Sequence, residues 1–334
     1  AFEITTLRID VETDGRRARV LFTDDWVADA ARRDFTINTL SCSLAGDVFD
    51  PFDGLADLAQ ALVRFVGNPK TRVEEDRLRI LRFFRHYADY GKPPPHSESL
   101  AACRAQAHRL RELSGERLRS ETFRILLAPN PADTITLMRG ERILEHYLPE
   151  AENIGRLRML SWLETTAIKI ASVKPDAGLR LAALLNVDED GAKDIARRFK
   201  LSNKQTDRLI GALKAGRSLS PRNTGREIRR ALHHWGIDCA RDTALLTWAG
   251  DKALDPLDKN TETEDWTGLL ETINHWKPKE FPLRGRDVLG QNVPASARIG
   301  RLLKTVETWW EEEDYRPGYK DCLKKLKSIL TPPN

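Results

Sequence analysis

Cysteine is scarce in this sequence, and its few positions lie far apart. The chain of 334 residues has no C-x-x-C pair and no histidine cluster beside any cysteine. Because disulfide frameworks and zinc sites need such spacing, we expect no disulfide partner and no zinc site built on cysteine. A reducing, cytoplasmic location is expected for a chain whose only cysteines are Cys42, Cys103, Cys239 and Cys322.

Long apolar runs and a large net charge are also missing. No segment approaches the roughly 18 apolar residues of a membrane-spanning helix, so no membrane partner is expected. The first residues lack the basic, apolar and small-residue zones of a signal peptide. Charged residues make up 31% of the chain, but the net charge is only +4. Any affinity for nucleic acid must therefore come from local basic faces.

The pattern along the chain changes from strands to helices. FEITTLRIDV and ARVLFT are rich in β-branched residues and flank an Asp14-Gly15 pair typical of a tight turn. After about residue 68, apolar residues recur near the 3.6-residue period, and segment 68–91 predicts a helix that ends before Gly91. We therefore predict an α+β fold that is mostly α, with a partial β head followed by helices.

Two charged motifs stand out, and each has an ordinary structural explanation. RRDFTIN contains Arg33, Asp34 and Asn38, and the last two are four residues apart, so they would share one face of a helix. A charged helix start would look the same. In EDRLRILRFFR, charged residues recur every three positions, as they also do on a solvent-exposed face with intrahelical ion pairs; these residues are Asp76, Arg79, Arg82 and Arg85.

The order and spacing of the motifs carry more information than each motif alone. RRDFTIN, DPFDGLADL and EDRLRILRFFR resemble successive motifs of the class II tRNA nucleotidyltransferases, the CCA-adding enzymes. GERLRSETFRILL resembles the next motif, and FEITTLRIDVETDGRRA resembles the strand and flexible loop before the first. The resemblance covers about 150 residues. It implies template-independent addition of CCA to tRNA 3′ ends from CTP and ATP.

The resemblance also implies a division of the chain into four parts. Residues 1–67 would form a partial nucleotidyltransferase head, and residues 68–150 a helical neck that selects the nucleotide. Residues 151–280 would form a tRNA-binding body, and residues 281–334 a helical tail. Basic helical segments at 196–217 and 224–236 could contact phosphates of the tRNA acceptor stem, although a solvated helix surface would have the same composition.

The resemblance implies that Asp76 and Arg79 read the base. Cytosine and adenine each present an amino donor beside a ring-nitrogen acceptor, whereas a carboxylate only accepts and a guanidinium only donates. Asp76 could accept from the amino group and Arg79 could donate to the ring nitrogen of either base. Uracil and guanine present the reverse pattern, which would leave buried groups unpaired at about 1–3 kcal/mol each.

The remaining motif residues receive roles from the same resemblance. Arg33, Arg82 and Arg85 would contact the triphosphate or ribose, because guanidinium groups suit phosphate oxygens. Asp34 would accept from a ribose hydroxyl, with Asn38 nearby. The flexible loop implies a switch from CTP to ATP, which argues against an enzyme that adds only CC; it includes Arg8, Asp10, Asp14, Gly15 and Arg16.

The metal ligands are the main departure from the family pattern. Nucleotidyl transfer with two Mg²⁺ ions needs a group of carboxylates, and the family supplies two of them from an Asp-x-Asp after a glycine-rich segment. No equivalent occurs in this sequence. Glu3 is a candidate catalytic carboxylate and metal ligand, or else a residue on the solvent face of a strand. On this pattern we expect an N-terminally incomplete chain that is inactive alone.

Three interpretations stay open at this point. The first is CCA addition to tRNA, and the second is a bacterial poly(A) polymerase of the same family. The third is a non-catalytic RNA-binding helical protein. His233 and His234 are assigned to packing or to the surface, because no third metal ligand lies at a suitable spacing in the sequence.

Overall fold

A computed structural model describes residues 5–13, 18–214, 216–255, 263–294 and 297–330. The chain divides into two compact units, one formed by residues 1–217 with 248–258 and the other by residues 218–247 with 259–334. Helices make up most of both units, and the described strands all lie before residue 50. The predicted α+β, mostly α fold is confirmed, and the four-part division of the chain stays a prediction. None of the described helices has the length and apolar character needed to cross a bilayer.

The predicted hairpin at the start of the chain is confirmed. Its strands are antiparallel, with Ile9 opposite Leu21 and a register shift between Asp10 and Glu12. The backbone N–H of Arg8 donates to Asp29 Oδ1 over 3.2 Å, which attaches the hairpin to the first helix. The elements of this region are β1 (Arg8–Thr13), β2 (Ala18–Phe22), α1 (Trp26–Ala31), β3 (Ser41–Cys42), β4 (Val48–Phe49) and α2 (Gly54–Ala59).

The DPFDG segment forms the predicted turn and starts α2. Asp50 caps the helix, because its Oδ1 accepts from the Gly54 N–H at 2.7 Å and its Oδ2 from the Leu55 N–H at 2.9 Å. A Cβ at Gly54 would lie 2.4 Å from the carbonyl oxygen of Thr36. Glycine therefore allows α2 to pack directly on the 3₁₀ turn Thr36–Asn38, which ends with a predicted site residue.

Replacing Gly54 with alanine is expected to lower the free energy of unfolding by at least about 1–3 kcal/mol, the usual range for an overpacked contact. The new methyl group can be accommodated only if the backbone at Thr36 moves. Urea unfolding of this variant should be compared with that of Gly140→Ala, since a Cβ at Gly140 meets no atom within 4 Å. Equal free energies of unfolding for the two variants would contradict the close packing of Gly54 against the backbone of Thr36.

The prediction of one helix over segment 68–91 is wrong in one respect, because the chain forms two helices there. α3 (Pro69–Glu75) ends and α4 (Leu78–Tyr90) begins around Asp76, whose φ of −148° and ψ of 113° are extended. Asp76 Oδ1 accepts from the Leu78 N–H at 3.0 Å, so the aspartate caps the new helix instead of continuing the old one. Asp76 therefore does not share a helical face with Arg79.

An aromatic cluster fixes the position of the RRDFTIN segment. Phe35 is fully buried and stacks on Phe65 with ring centroids 4.8 Å apart. Phe83 of α4 stacks on Phe65 at 5.9 Å, and His86 lies 4.9 Å from Phe35. Buried aromatic contacts of this kind hold Phe35, and with it the neighbouring Asp34, against α4.

The rest of the described chain is helical. One long helix contains a non-helical residue, Gly236, at φ 76° and ψ 167°, so it consists of two helices joined at a kink. The helices that follow α4 are α5 (Ser97–Gln106), α6 (Gly115–Leu127), α7 (Pro131–Gly140), α8 (Ile154–Trp162), α9 (Ala177–Leu184), α10 (Glu189–Arg198), α11 (Asn203–Leu213), α12 (Gly225–Leu254), α13 (Thr263–Asn274), α14 (Gly285–Leu289), α15 (Ala297–Glu312) and α16 (Tyr319–Leu330).

Candidate nucleotide-binding site

A cavity of about 620 Å³ lies where RRDFTIN, the break at Asp76 and the first turns of α4 meet. Five arginines and two aspartates line it, a formal excess of three positive charges that suits an anionic ligand. Most of the predicted nucleotide-binding residues are brought together here, although they are up to 49 residues apart in the chain. The lining residues of this arginine-lined cavity are Arg8, Arg32, Arg33, Asp34, Asn38, Asp76, Arg79 and Arg82.

Asp34 is buried at the wall of the cavity and held as a carboxylate. Asn38 Nδ2 donates to its Oδ1 over 2.8 Å, so the predicted pair does meet, although across a 3₁₀ turn instead of an α-helix. Arg82 Nε lies 2.6 Å from its Oδ2. Burial alone would raise the pKa of Asp34, but the charge of Arg82 and the Asn38 hydrogen bond lower it below its usual value. The group can therefore only accept hydrogen bonds at neutral pH.

Asp29 orients the arginine pair that opens RRDFTIN. Its Oδ1 lies 2.6 Å from Arg32 Nη2 and its Oδ2 lies 3.0 Å from Arg33 Nη2. Arg33 also donates from Nη1 to the carbonyl of Asn38 at 2.8 Å. Sequence reasoning missed Asp29 and Arg32 as members of the site. The signal was available, because an aspartate three and four residues before two arginines shares their face of a helix.

Asp76 is fixed in place by an arginine from a distant helix. Arg117 Nη2, in α6, lies 3.0 Å from Oδ1 and 2.8 Å from Oδ2 of Asp76. The Asp76 side chain remains 22% exposed, so it can still be reached from the cavity. Sequence reasoning also missed Arg117, although GERLRSETFRILL was singled out as a motif. The pairing of these two residues could not be read from their spacing in the chain.

Arg79 lies beside Asp76 and is held by the end of α3. Its Nη1 forms an ion pair with Glu75 and donates to the carbonyl of Arg72 over 2.9 Å. Burial alone would raise the pKa of Glu75, but its bonds to Arg79 and Arg72 lower that pKa below its usual value. The guanidinium is therefore anchored on one side by a carboxylate while it lines the cavity.

Arg85 is the predicted nucleotide-binding residue that the structure places away from the cavity. Its Nη1 lies 3.0 Å from Glu121 Oε2, and its Nη2 lies 2.7 Å from His86 Nε2. The Arg85 side chain is only 12% exposed. Its position supports a role in holding α4 against α6 and does not support contact with a phosphate.

His86 connects the pair of Arg85 and Glu121 to the cavity wall, and its imidazole is kept neutral. Burial, followed by the nearby charge of Arg85, lowers its pKa to about 4, even though Asp34 acts in the opposite direction. Its Nε2 lies 3.3 Å from Asn38 Nδ2. The ring therefore links α4 to the turn that carries Asn38, although no sequence motif identified it.

Acidification below pH 6.5 is expected to destabilise the fold through His86. The unfolded state binds the proton near pH 6.5 and the folded state only near pH 4, so the free energy of unfolding falls as the pH drops between these values. The full loss is about 3 kcal/mol, since one pKa unit corresponds to about 1.4 kcal/mol. Urea unfolding of His86→Asn should show a weaker pH dependence in this window.

The matched control for that experiment is His108→Asn, because His108 is exposed. It should retain the wild-type dependence between pH 4 and 6.5. An unchanged slope in His86→Asn would contradict the neutral, buried assignment of the ring. Asp34 contributes in the same direction, but at lower pH, because its lowered pKa gives stability that is lost only as the carboxylate becomes protonated.

The predicted flexible loop is described only in part. Arg8 lies in β1 and lines the cavity, and Asp10 lies opposite Val20 in the hairpin. The other predicted loop and catalytic residues, Asp14, Gly15, Arg16 and Glu3, lie outside the described residues.

Comparison with known proteins adds evidence that is independent of the cavity. Residues 1–64 match a family model described as "Poly A polymerase head domain", and residues 95–154 match one described as "Probable RNA and SrmB- binding site of polymerase A". A protein named CCA tRNA nucleotidyltransferase 1, mitochondrial, from Mus musculus is 33% identical over 98% of this chain and 72% of its own length. A CCA-adding enzyme from Lactococcus lactis subsp. cremoris (strain MG1363) is 28% identical over 98% of this chain and 78% of its own.

A solved structure agrees with the fold. The crystal structure of the Bacillus stearothermophilus CCA-adding enzyme in complex with CTP superposes with a TM-score of 0.75 and 22% identity. The similar region covers 98% of this chain and 78% of that chain. At this level of identity the similarity concerns the arrangement of the backbone.

Proposed function

This chain belongs to the CCA tRNA nucleotidyltransferase family, and we propose on that basis that it serves the template-independent addition of CCA to tRNA 3′ ends from CTP and ATP. The observation that carries the proposal is the arginine-lined cavity, in which Asp76 and Arg79 lie beside a surplus of positive charge. A base-reading pair next to an anion-binding surface is what selection of a nucleoside triphosphate requires.

We propose that Asp76 and Arg79 act together as a protein template for C and A. Both residues are held from behind, Asp76 by Arg117 and Arg79 by Glu75, so their positions are set before a base arrives. Such preorganisation lowers the entropy lost on binding. The carboxylate would accept from the amino group of cytosine or adenine, and the guanidinium would donate to the ring nitrogen.

The triphosphate and ribose are assigned to the other wall of the cavity. Arg33 is 40% exposed and Arg82 is 36% exposed, so both guanidinium groups can reach a ligand without leaving their carboxylate partners. Asp34 is the proposed acceptor for a ribose hydroxyl. The ionised state of this carboxylate suits that role, because it cannot donate.

The metal ions of the transfer reaction are not accounted for by the described residues around the cavity. The carboxylates of Asp34 and Asp76 are both paired with arginines, and the described residues bring no group of three metal-ligating side chains to this place. We keep Mg²⁺ dependence and a ligand role for Glu3 as proposals. We also propose that this chain, taken alone, binds nucleotide and does not transfer it.

The tRNA partner is proposed from the family, and the location from the cysteines. We propose that residues 151–280 bind tRNA and that the four-part division of the chain describes its functional parts. A cytoplasmic location is proposed from the cysteines, which the structure holds as thiols. Relatives named as mitochondrial and relatives from bacteria both occur, so location varies within the family.

Poly(A) synthesis is the second candidate function. It is favoured by the description of the family model that matches residues 1–64, which names a poly(A) polymerase head. The two functions differ in their use of CTP. A site that accepts cytosine as well as adenine serves CCA addition, whereas poly(A) synthesis uses ATP only.

Competition among the four nucleoside triphosphates tests the proposed selection. A fluorescent ATP analogue bound to the purified chain should be displaced by CTP and ATP at similar concentrations. UTP and GTP should require at least about 5-fold more, since one mismatched buried group costs about 1–3 kcal/mol. Displacement by ATP alone would favour poly(A) synthesis. Equal displacement by all four nucleotides would contradict the proposal that Asp76 and Arg79 select the base.

Loss of Arg117 should act through Asp76. Arg117→Ala is expected to reduce the preference for CTP over UTP by about 5- to 10-fold, because Asp76 loses its anchor and the hydrogen bond that it accepts from the base amino group weakens by about 1 kcal/mol. The change in preference separates positioning from stability, since a merely less stable protein would bind all nucleotides less well. Arg124→Ala, also on α6 and 60% exposed, is the matched control.

A further inference from the structure

A second group of polar side chains lies in the unit formed by residues 218–247 and 259–334. His233 of α12 meets Glu307 and Glu311, which are one turn apart on α15. One potential ligand atom from each of the three lies within 4.8 Å of the other two. Within the described part of the chain, no other group of three such residues comes this close. The cluster belongs to neither the arginine-lined cavity nor its proposed function.

Glu311 is buried without enough partners for its charge. The residue is only 8% exposed, and its Oε1 has no hydrogen-bond partner among the described residues. Its Oε2 lies 3.2 Å from His234 Nε2, which accounts for one of the two oxygens. A buried carboxylate with an unpaired oxygen is costly unless a cation or a donor meets it.

Two cations near the cluster already have carboxylate partners. Arg229 donates from Nε to Oδ1 and from Nη2 to Oδ2 of Asp314, each over 2.7 Å. Lys304 Nζ lies 3.0 Å from Glu307 Oε2. Neither of these cations is a hydrogen-bond partner of Glu311 Oε1. The unpaired oxygen of Glu311 is left for a further positive ligand.

Two aromatic rings border the cluster. His233 lies 5.7 Å from the Trp310 ring and 4.9 Å from the Tyr315 ring, and both aromatic residues belong to the buried core of this unit. An imidazole held by aromatic rings and a carboxylate held by an outer histidine have the support that metal ligands usually have.

We propose that His233, Glu307 and Glu311 form a binding site for one divalent transition-metal ion of the Zn²⁺ type. One imidazole and two carboxylates form a three-ligand set that leaves a fourth position for water. The nitrogen ligand favours Zn²⁺ over Mg²⁺ or Ca²⁺, which prefer oxygen alone. The present spread of up to 4.8 Å exceeds the about 3.4 Å between ligands of a tetrahedral site, so side-chain rotation closes the site on the ion.

The role of the ion is to join α12 to α15. The sequence assigned His233 to packing or to the surface; Glu307 and Glu311 lie more than 70 residues further along the chain, so no sequence spacing places them beside it. Zn²⁺ that binds the folded unit and not the unfolded chain raises its melting temperature. This effect is separate from nucleotide binding and does not depend on the proposed function.

Titration of the metal-stripped chain with Zn²⁺ in a calorimeter tests the site. The wild-type chain should bind one ion, and Glu311→Gln and His233→Asn should each weaken that binding by more than about 100-fold, since even outer-shell losses cost roughly 10–100-fold. Glu312→Gln and His275→Asn, both at exposed positions, should bind like the wild type. No binding by the wild type, or equal binding by all variants, would overturn the proposal.

A second measurement covers the case in which a variant fails to fold. Co²⁺ added to the wild-type chain should give the strong visible absorption of a tetrahedral site with a nitrogen ligand, and Zn²⁺ should abolish it by competition. The weak spectrum of the hydrated ion would overturn the proposal without reference to any variant. Circular dichroism shows whether Glu311→Gln folds. If it folds, the Zn²⁺ titration of the variants decides; if it does not, the Co²⁺ spectrum of the wild-type chain decides.

Discussion

Replacing Asp76 with alanine is expected to weaken the binding of CTP and ATP and to remove most of their advantage over UTP and GTP. The proposed hydrogen bond from the base amino group to the carboxylate is lost, and the amino group is left unpaired in the cavity. Such a group costs about 1–3 kcal/mol, which corresponds to about 5- to 150-fold in affinity. Without the Asp76 carboxylate, the positive charge of Arg117 would also repel a base donor.

The measurement is the four-nucleotide competition applied to matched variants. Arg79→Ala should lower the same preference, because the ring nitrogen of cytosine or adenine loses its donor. Glu74→Ala is the control, since Glu74 is an exposed neighbour on α3 that does not line the cavity. If Asp76→Ala kept the wild-type order of the four nucleotides, another residue would have to read the base.

Replacing Arg180 with methionine is expected to destabilise the protein by about 3–5 kcal/mol, the usual cost of breaking a buried ion pair. The side chains of Arg180 and Glu164 are both fully buried, with Nε and Oε2 2.6 Å apart. Arg180 Nη1 also donates to the carbonyls of Leu126 and Ala128, at 2.6 and 3.0 Å. One guanidinium thus joins α9 to the end of α6. Its loss leaves Glu164 buried without its partner, and burial already raises the pKa of Glu164 to about 7 even with Arg180 beside it.

Thermal unfolding followed by circular dichroism measures this effect. The melting temperature should fall on the order of 10 °C, given about 2–4 °C for each kcal/mol in a unit of this size. Arg197→Met is the control, because that side chain is 75% exposed in a surface pair. The double variant Arg180→Met with Glu164→Met should regain part of the loss, since no buried charge is left alone. A melting temperature unchanged in Arg180→Met would contradict the buried pair.

The sequence predicts the general fold well because that prediction rests on local patterns. The strands β1 and β2, the DPFDG turn and the helical remainder each follow from residues that are neighbours in the chain. The continuous helix over segment 68–91 fails for the same reason. Its apolar period runs through both α3 and α4, and only the side chain of Asp76, which caps α4, separates them.

The sequence predicts most of the residues that line the cavity, but not the hydrogen bonds and ion pairs that position them. The motifs identified six of the eight residues that line the cavity by their likeness to a family, together with Arg8 from the loop. The partners that position them are hidden from such reasoning, because Arg117 is 41 residues from Asp76 and His86 is 48 residues from Asn38. Arg85 differs from these residues, since the family resemblance assigns it to the triphosphate or ribose, whereas its guanidinium pairs with Glu121 and does not line the cavity.

Incorporation into a tRNA that lacks its 3′ CCA tests the central claim most directly. The full product of the gene that encodes this chain, and this chain alone in parallel, are incubated with Mg²⁺ and each labelled nucleotide, singly and in combination. The full product should add two C and then one A and refuse UTP and GTP, while the chain alone should bind CTP and ATP without transfer. Long A tracts, or addition of U or G by the full product, would contradict a C- and A-selecting template for CCA.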